Sequence, residues 1–260
     1  MVAEAAVAEV AAAEAAANRP MEKYPAPKGL LYPNERIDDL QLGGLVIIQD
    51  PSKFAFGIDA VMLANFICVQ AGEKALDLGT GTGIIPLLLS AKGSGVVYEG
   101  IEIQEDMADM AQRSVLLNIQ NGFLAKGLVS IKHGDLRELK TAKGLPQYDI
   151  VTCNPPYIPV GGGIINANTS LKISRHEFCC TLEDVLAAAA RILRPGGRFA
   201  MVHRPQRLAD ITTAMRTFRL EPKRLQMVHP AQNKPPTHCL IEARRGAKPY
   251  LEVLPPIIGL

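Results

Sequence analysis

The sequence is short of cysteine and of long apolar runs, and each shortage narrows what the chain can be. No stretch reaches the roughly 18 uncharged apolar residues of a membrane span; a run such as Ile84–Leu89 is far too short. The first residues lack the basic start and apolar core of a secretory signal. Five cysteines, at 68, 153, 179, 180 and 239, make neither an even set nor a CxxC pair, which is the usage of reduced thiols in a cytoplasmic protein. Cys179-Cys180 has no second pair with which to form a metal site, and no metal is expected. Disorder is excluded by composition, since 48% of residues are hydrophobic and 21% charged.

What is present is unevenly distributed. The net charge of +2 hides an acidic first part, up to residue 110, and a basic remainder. Such asymmetry fits one face meeting a polyanion, or a solvated surface with no partner at all. Residues 1–20 are an alanine-rich tract with Glu4, Glu9 and Glu14 five apart, a spacing that makes no apolar helix face. Pro20, Pro25, Pro27 and Pro33 then forbid helix. Residues 1–35 therefore read as an extension and linker, 36–250 as one domain and 251–260 as a tail.

Within the domain, strand and helix alternate. Leu45–Gln49 reads as a strand, and Asp59 as the N-cap of the helix AVMLANFI. Strands follow at Ala75–Leu78, Val96–Ile103, Val129–His133, Asp149–Cys153 and Arg198–His203, with helices at Ile84–Ala91 and Glu105–Asn118. Thr181 and Asp184 form a capping box for a helix through Leu193, which Pro195-Gly196-Gly197 stops. Arg224–Val228 and His238–Ala243 are apolar runs suited to antiparallel pairing. The alternation predicts a Rossmann-like α/β fold, a mostly parallel sheet with helices on both faces.

Two motifs carry chemistry. The first is ALDLGTGTG, residues 75–83. Gly79, Thr80, Gly81 and Gly83 make a turn in which backbone can approach a ligand closely. Its spacing is wrong for a dinucleotide, because Ile84 stands where the third glycine belongs. Asp77 would repel a pyrophosphate but suits a cationic amine, and Glu102, ending the next strand, suits ribose hydroxyls. An amine, a ribose and no diphosphate describe S-adenosylmethionine (SAM). His133-Gly134-Asp135 ends a further strand; Asp135, with Leu136, is either a contact to the cofactor's adenine or a helix cap. Gly57 and Asp59, in FAFGID at 54–59, precede the first motif.

The second motif is Asn154-Pro155-Pro156-Tyr157, directly after the strand DIVTC. Here the chain resembles the class I methyltransferases that modify planar amino groups. The resemblance implies that Asn154 and the Pro155 carbonyl accept the amino hydrogens of the target, that Pro156 stiffens the turn and that Tyr157 stacks on the base. It also implies that the loop carrying Gly57 and Asp59 contacts the methionine part of SAM, a role that for Asp59 is compatible with capping. Cys153 beside it reads as core rather than nucleophile.

The closer resemblance is to the bacterial tRNA1(Val) adenine N6-methyltransferases, which act on the adenosine 3′ of the anticodon. It spans about residues 36–245 and rests on ERIDDL (35–40), FGIDAVML (56–63), DLGTGTGIIPLLL (77–89), CNPPY (153–157), RHE (175–177), RILRPGGRFAMVHRPQRL (191–208) and EPKRLQMVHP (221–230). It implies a seven-stranded sheet with an antiparallel terminal strand, SAM as cofactor and tRNA as partner. Arg175 and His176 would close over the base. Lys223, Arg224, Arg244 and Arg245 are candidates for phosphate contacts, or a solvated rim. A release-factor glutamine methyltransferase and a degenerate SAM domain that binds RNA are the competing readings.

Overall fold

The computed structural model describes residues 29–53, 56–93, 95–139, 148–155 and 180–259. An antiparallel pair, β1 (Arg36–Asp39) and β2 (Val46–Gln49), comes first. Then α1 (Ile58–Phe66), β3 (Lys74–Leu78), α2 (Ile84–Ser90), β4 (Val97–Glu102), α3 (Glu105–Gln120), β5 (Val129–His133) and β6 (Tyr148–Cys153) alternate. The chain continues through α4 (Leu182–Ile192), β7 (Leu193–His203), α5 (Leu208–Thr217), β8 (Leu220–His229) and β9 (His238–Arg245). Two short strands close it, β10 (Glu252–Val253) and β11 (Ile257–Ile258).

The main sheet runs β5-β4-β3-β6-β7-β9-β8, with β10 and β11 both pairing along the outer side of β8. Only β9 is antiparallel to its neighbours. Seven strands were expected; the sheet has nine, because the residues set apart as a tail add two to its edge. The central strands are near-continuous apolar runs, as strands covered on both faces must be. One apolar layer gathers α1, α2 and part of α3 on one face, and a second gathers α4 and α5 on the other.

The β1–β2 pair is tied to the body by α3. Asn118 accepts from the Val46 N–H at 2.9 Å and donates to its carbonyl at 2.7 Å, and the Ser114 hydroxyl accepts from the Ile48 N–H at 2.9 Å. Two helix side chains thus satisfy backbone groups that a third strand would otherwise have taken. Buried Arg113 reinforces the joint, donating to both Glu35 carboxylate oxygens and to the Leu30 carbonyl.

Local expectations fare differently. The Thr181–Asp184 capping box is present, with Thr181 Oγ1 accepting from the Asp184 N–H. The N-cap of α1 is Gly57, not Asp59; Asp59 sits in the first turn, where the helix dipole favours a carboxylate. The helix before β7 ends at Ile192, and Leu193 is already extended, so Pro195-Gly196-Gly197 falls within β7 rather than stopping a helix. A register shift against β6 between Tyr148 and Ile150 accommodates it.

Candidate active site

The carboxyl ends of the parallel strands form one edge, where open α/β sheets hold their ligands. After β3 the chain turns over the end of β4: the N–H groups of Gly79 and Thr80 both donate to the Ile101 carbonyl, at 2.9 and 3.0 Å. Gly79 and Gly81 hold positive φ, +67° and +56°, and a Cβ on either would meet nothing within 4 Å. The requirement for glycine there is conformational, and it leaves bare backbone facing open space. Gly100, in β4, is the opposite case. A Cβ there would come within 2.8 Å of Thr80, so its absence lets the turn seat itself.

Asp77 is buried beneath this turn. Its Oδ1 accepts from the Thr152 hydroxyl at 2.6 Å, while its Oδ2 is buried with no hydrogen-bond partner among the described residues. Burial raises its pKa to about 7; the neighbouring hydroxyls oppose this and the charge of Glu102 adds to it. A carboxylate with one satisfied and one orphaned oxygen is poised for a cationic donor.

Glu102 is also buried. Its Oε2 accepts from the Gly81 N–H at 2.9 Å and its Oε1 from the Gln104 N–H at 3.0 Å. Oε1 also takes a long bond from Gln104 Nε2 at 3.4 Å, while Oε2 keeps a second lone pair for a hydroxyl donor. We expect Glu102→Ala to weaken SAM binding at least tenfold in calorimetry, since it removes both acceptors and the anchor of the glycine turn, and to leave tRNA affinity of the cofactor-free protein nearly unchanged. SAM binding equal to wild type would remove Glu102 from the site.

The capping expected as one reading of Asp135 is present. Asp135 caps the short 3-10 turn Leu136–Glu138, accepting from the Arg137 N–H, and it pairs with the Arg137 side chain. Leu136 is packed into the core. Gly134 donates to the Glu102 carbonyl at 2.9 Å, which keeps this corner beside β4.

Asn154 and Pro155 leave β6 at the same edge, half-buried, next to the β3 end that carries Asp77. Cys153 is fully buried, and burial pushes its thiol well up, so it stays a protonated core residue. Pro156, Tyr157, Arg175 and His176 lie outside the described residues.

The late basic residues are not brought to this edge. Because β9 runs antiparallel, Arg244 pairs with Arg198 near the start of β7, while Cys239 pairs with His203 at its end. Arg244 therefore lies about 13 Å from the level of Asn154 along the strands, and Arg245 is farther still. Arg224 pairs with Glu242 at 3.3 Å, Lys223 lies over the Tyr250 ring, and Arg245 donates to the Leu193 carbonyl. Sequence reasoning also passed over Thr152 and His203, whose one available signal was a polar residue inside an otherwise apolar strand. His203 is held neutral, burial lowering its pKa to about 4, and its Nδ1 accepts from the Arg204 N–H at 2.8 Å.

Comparison with known proteins decides the family, for the methyltransferase small domain family matches residues 52–219. The chain belongs to it. A tRNA1(Val) (adenine(37)-N6)-methyltransferase of Parabacteroides distasonis is 28% identical over 211 residues, 80% of this chain and 85% of that protein. One of the same name from Porphyromonas gingivalis is 29% identical, over 76% of this chain and 77% of that protein. Among solved structures, a predicted O-methyltransferase from Agrobacterium tumefaciens superposes with a TM-score of 0.61 at 24% identity, covering 77% of this chain and 86% of that one. That likeness is one of fold. Among the described residues no helix is long and apolar enough to cross a membrane, and no group of three or more His, Cys, Asp or Glu is placed to hold a metal ion.

Proposed function

We propose that this protein is a SAM-dependent methyltransferase of the N6 amine of an adenosine in tRNA, acting in the cytoplasm on the anticodon-loop adenosine 3′ of the anticodon of tRNA1(Val). The observation that carries the reading is the convergence on one edge of an orphaned buried carboxylate, a glycine turn, a ribose-type acid and Asn154-Pro155. The names of the relatives supply the nucleoside and the tRNA.

The residues present fit SAM. Asp77 Oδ2 lacks a donor and would receive the α-ammonium; Glu102 Oε2 retains a lone pair for a ribose hydroxyl, and Oε1 would take the other by displacing its long bond from Gln104 Nε2; a Cβ at Gly79 or Gly81 would meet nothing within 4 Å. Asp135, at the end of β5 beside Glu102, is the candidate for the cofactor's adenine amine, its carboxylate also pairing with Arg137. When bound, SAM supplies an electrophilic methyl group.

The rest is the work of the chain. An exocyclic adenine amine is a poor nucleophile because its lone pair is delocalised into the ring. Asn154 Oδ1 and the Pro155 carbonyl each accept one amino hydrogen, which favours a tetrahedral nitrogen with its lone pair aimed outward. Pro155 and Pro156 restrict the turn and pre-position both acceptors. Tyr157 supplies a stacking surface, worth roughly 1–3 kcal/mol per base. An anticodon-loop base is already unpaired, so presenting it costs less than opening a duplex.

The test offers tritiated SAM separately to unmodified tRNA, a release factor and DNA, followed by nucleoside mass spectrometry. N6-methyladenosine in tRNA is expected. Label on a release-factor glutamine would overturn the reading, and no transfer to any substrate would favour a SAM domain that only binds RNA.

A further inference from the structure

We propose that the RNA backbone flanking the target base is held by Arg204 together with the β8–β9 turn, residues 230–237, with Lys234 as its cation. This rests on the tRNA reading above and says which surface serves it.

Strand register places Arg204 at the reaction. Cys153 pairs with Met201, so Pro155 is level with His203, and Arg204 emerges one residue further on the adjacent strand. Its backbone is about one strand spacing, roughly 5 Å, from the Asn154-Pro155 turn. The β8–β9 turn belongs to the same edge, since Val228 pairs with His238 and Cys239 with His203. It lies two to three strand spacings from Asn154, about 10–15 Å. Arg204 and Lys234 are both exposed.

The turn is built rather than loose. Thr237 donates to the Val228 carbonyl at 2.8 Å, Lys234 N–H to the Ala231 carbonyl at 3.0 Å, and His229 Nδ1 meets the Lys234 carbonyl at 2.8 Å. Arg204 Nη1 donates to the Thr237 carbonyl at 3.1 Å, fastening turn and arginine into one surface. His238 stands in the same corner. Burial lowers its pKa, the Arg204 charge adds to that and Asp59 opposes it.

Charge is divided along the edge. The β4–β5 half carries Glu102, Glu105, Asp106, Asp135 and Glu138, of which Asp106 pairs with Lys53 and Asp135 with Arg137, whereas residues 229–238 contain no acid. A polyanion approaching Asn154 is repelled from the first half and accepted by the second. Single-stranded backbone needs such a track of cations beside the site where its base is bound.

The test uses the full chain and tRNA transcript, comparing R204Q/K234E and the single variant K234E with K223E/R244E. We expect R204Q/K234E to raise the Kd and KM for tRNA at least tenfold, with SAM affinity unchanged and kcat at saturating tRNA within a few-fold. Its log–log dependence of affinity on salt becomes shallower by about 1.4, two single-strand phosphate contacts at roughly 0.7 each. K234E alone, on the exposed turn, shows about half of that change even if the double variant folds poorly. K223E/R244E binds tRNA as wild type does. If wild type methylates tRNA and the losses fall on K223E/R244E, or on neither pair, the surface is wrong and the function stands. If wild type methylates a release factor and not tRNA, both fall.

Discussion

Asn154→Ala is expected to lower kcat for tRNA methylation by about 10²–10³-fold, the range seen when one pre-aimed hydrogen-bond group is removed from an active site, while the Kd for SAM changes less than threefold. The asymmetry follows from what Asn154 touches. It leaves β6 at the ligand edge, where the proposed mechanism has its carboxamide accept from the reacting amine, whereas the acceptors proposed for the cofactor, Asp77 and Glu102, belong to β3 and β4. An interaction strongest as the nitrogen becomes tetrahedral is lost from kcat and kcat/KM together. Single-turnover rates and SAM calorimetry on the same preparation decide the matter. Equal losses in both would mean that Asn154 holds the turn together and does not meet the substrate.

Asp77 gives the second large effect, and it has two opposite signs. Its pKa is raised from 3.8 in the unfolded chain to about 7 in the folded one. The folded chain therefore binds this proton more tightly. Stability of the cofactor-free protein falls as pH rises from about 4 to about 7, by a few kcal/mol from this group. With Asp77 as the proposed partner of its ammonium, SAM binding runs the other way, since that contact requires the ionised carboxylate. Affinity should rise between pH 5.5 and 7.5, by up to about tenfold per pH unit below 7, before an α-amino group starts to lose its proton near 8. Asp77→Asn should melt higher than wild type at pH 8 without cofactor, yet bind SAM about 30-fold or more weakly, the loss of a charge-assisted hydrogen bond. Thermal melts at pH 5.5 and 8, with calorimetry across the same range, test both signs. An unchanged SAM affinity in Asp77→Asn would remove the ammonium contact.

The alternation of the central elements was readable because each parallel strand announces itself by an apolar run, whereas α5 (Leu208–Thr217), which has no side-chain cap, and the half-buried β1 (Arg36–Asp39) were not anticipated. The strand Val129–His133 and the Thr181–Asp184 box were legible residue by residue. The glycine turn was legible too, because positive φ demands glycine at 79 and 81. Asp59 was misread as a cap since an aspartate before an apolar run looks the same whether it precedes the helix or occupies its first turn. Asp135 had two chemically sound readings, of which the cap shows in its bond from the Arg137 N–H, two residues on. The placement of Arg244 and Arg245 could not be read from charge. A residue's end of the sheet depends on the direction of its strand, and the reversal at β9 carries that cluster away from Asn154. The Arg113–Glu35 joint spans 78 positions, a separation at which composition and periodicity are silent.

The last residues along β8 settle how the sheet meets its surroundings. Leu254 donates to the Leu225 carbonyl at 2.8 Å, Gly259 to the His229 carbonyl at 3.0 Å, and Gln226 Nε2 to the Pro255 carbonyl at 2.9 Å. A strand edge left bare invites another chain to pair with it. Here the outermost layer is only two residues long at each contact, and Pro255-Pro256 interrupts it between them. Proline presents no N–H, so nothing can be templated across the gap. The β8 flank is thus closed by the protein's own chain, and a strand of another protein finds no continuous edge there to extend.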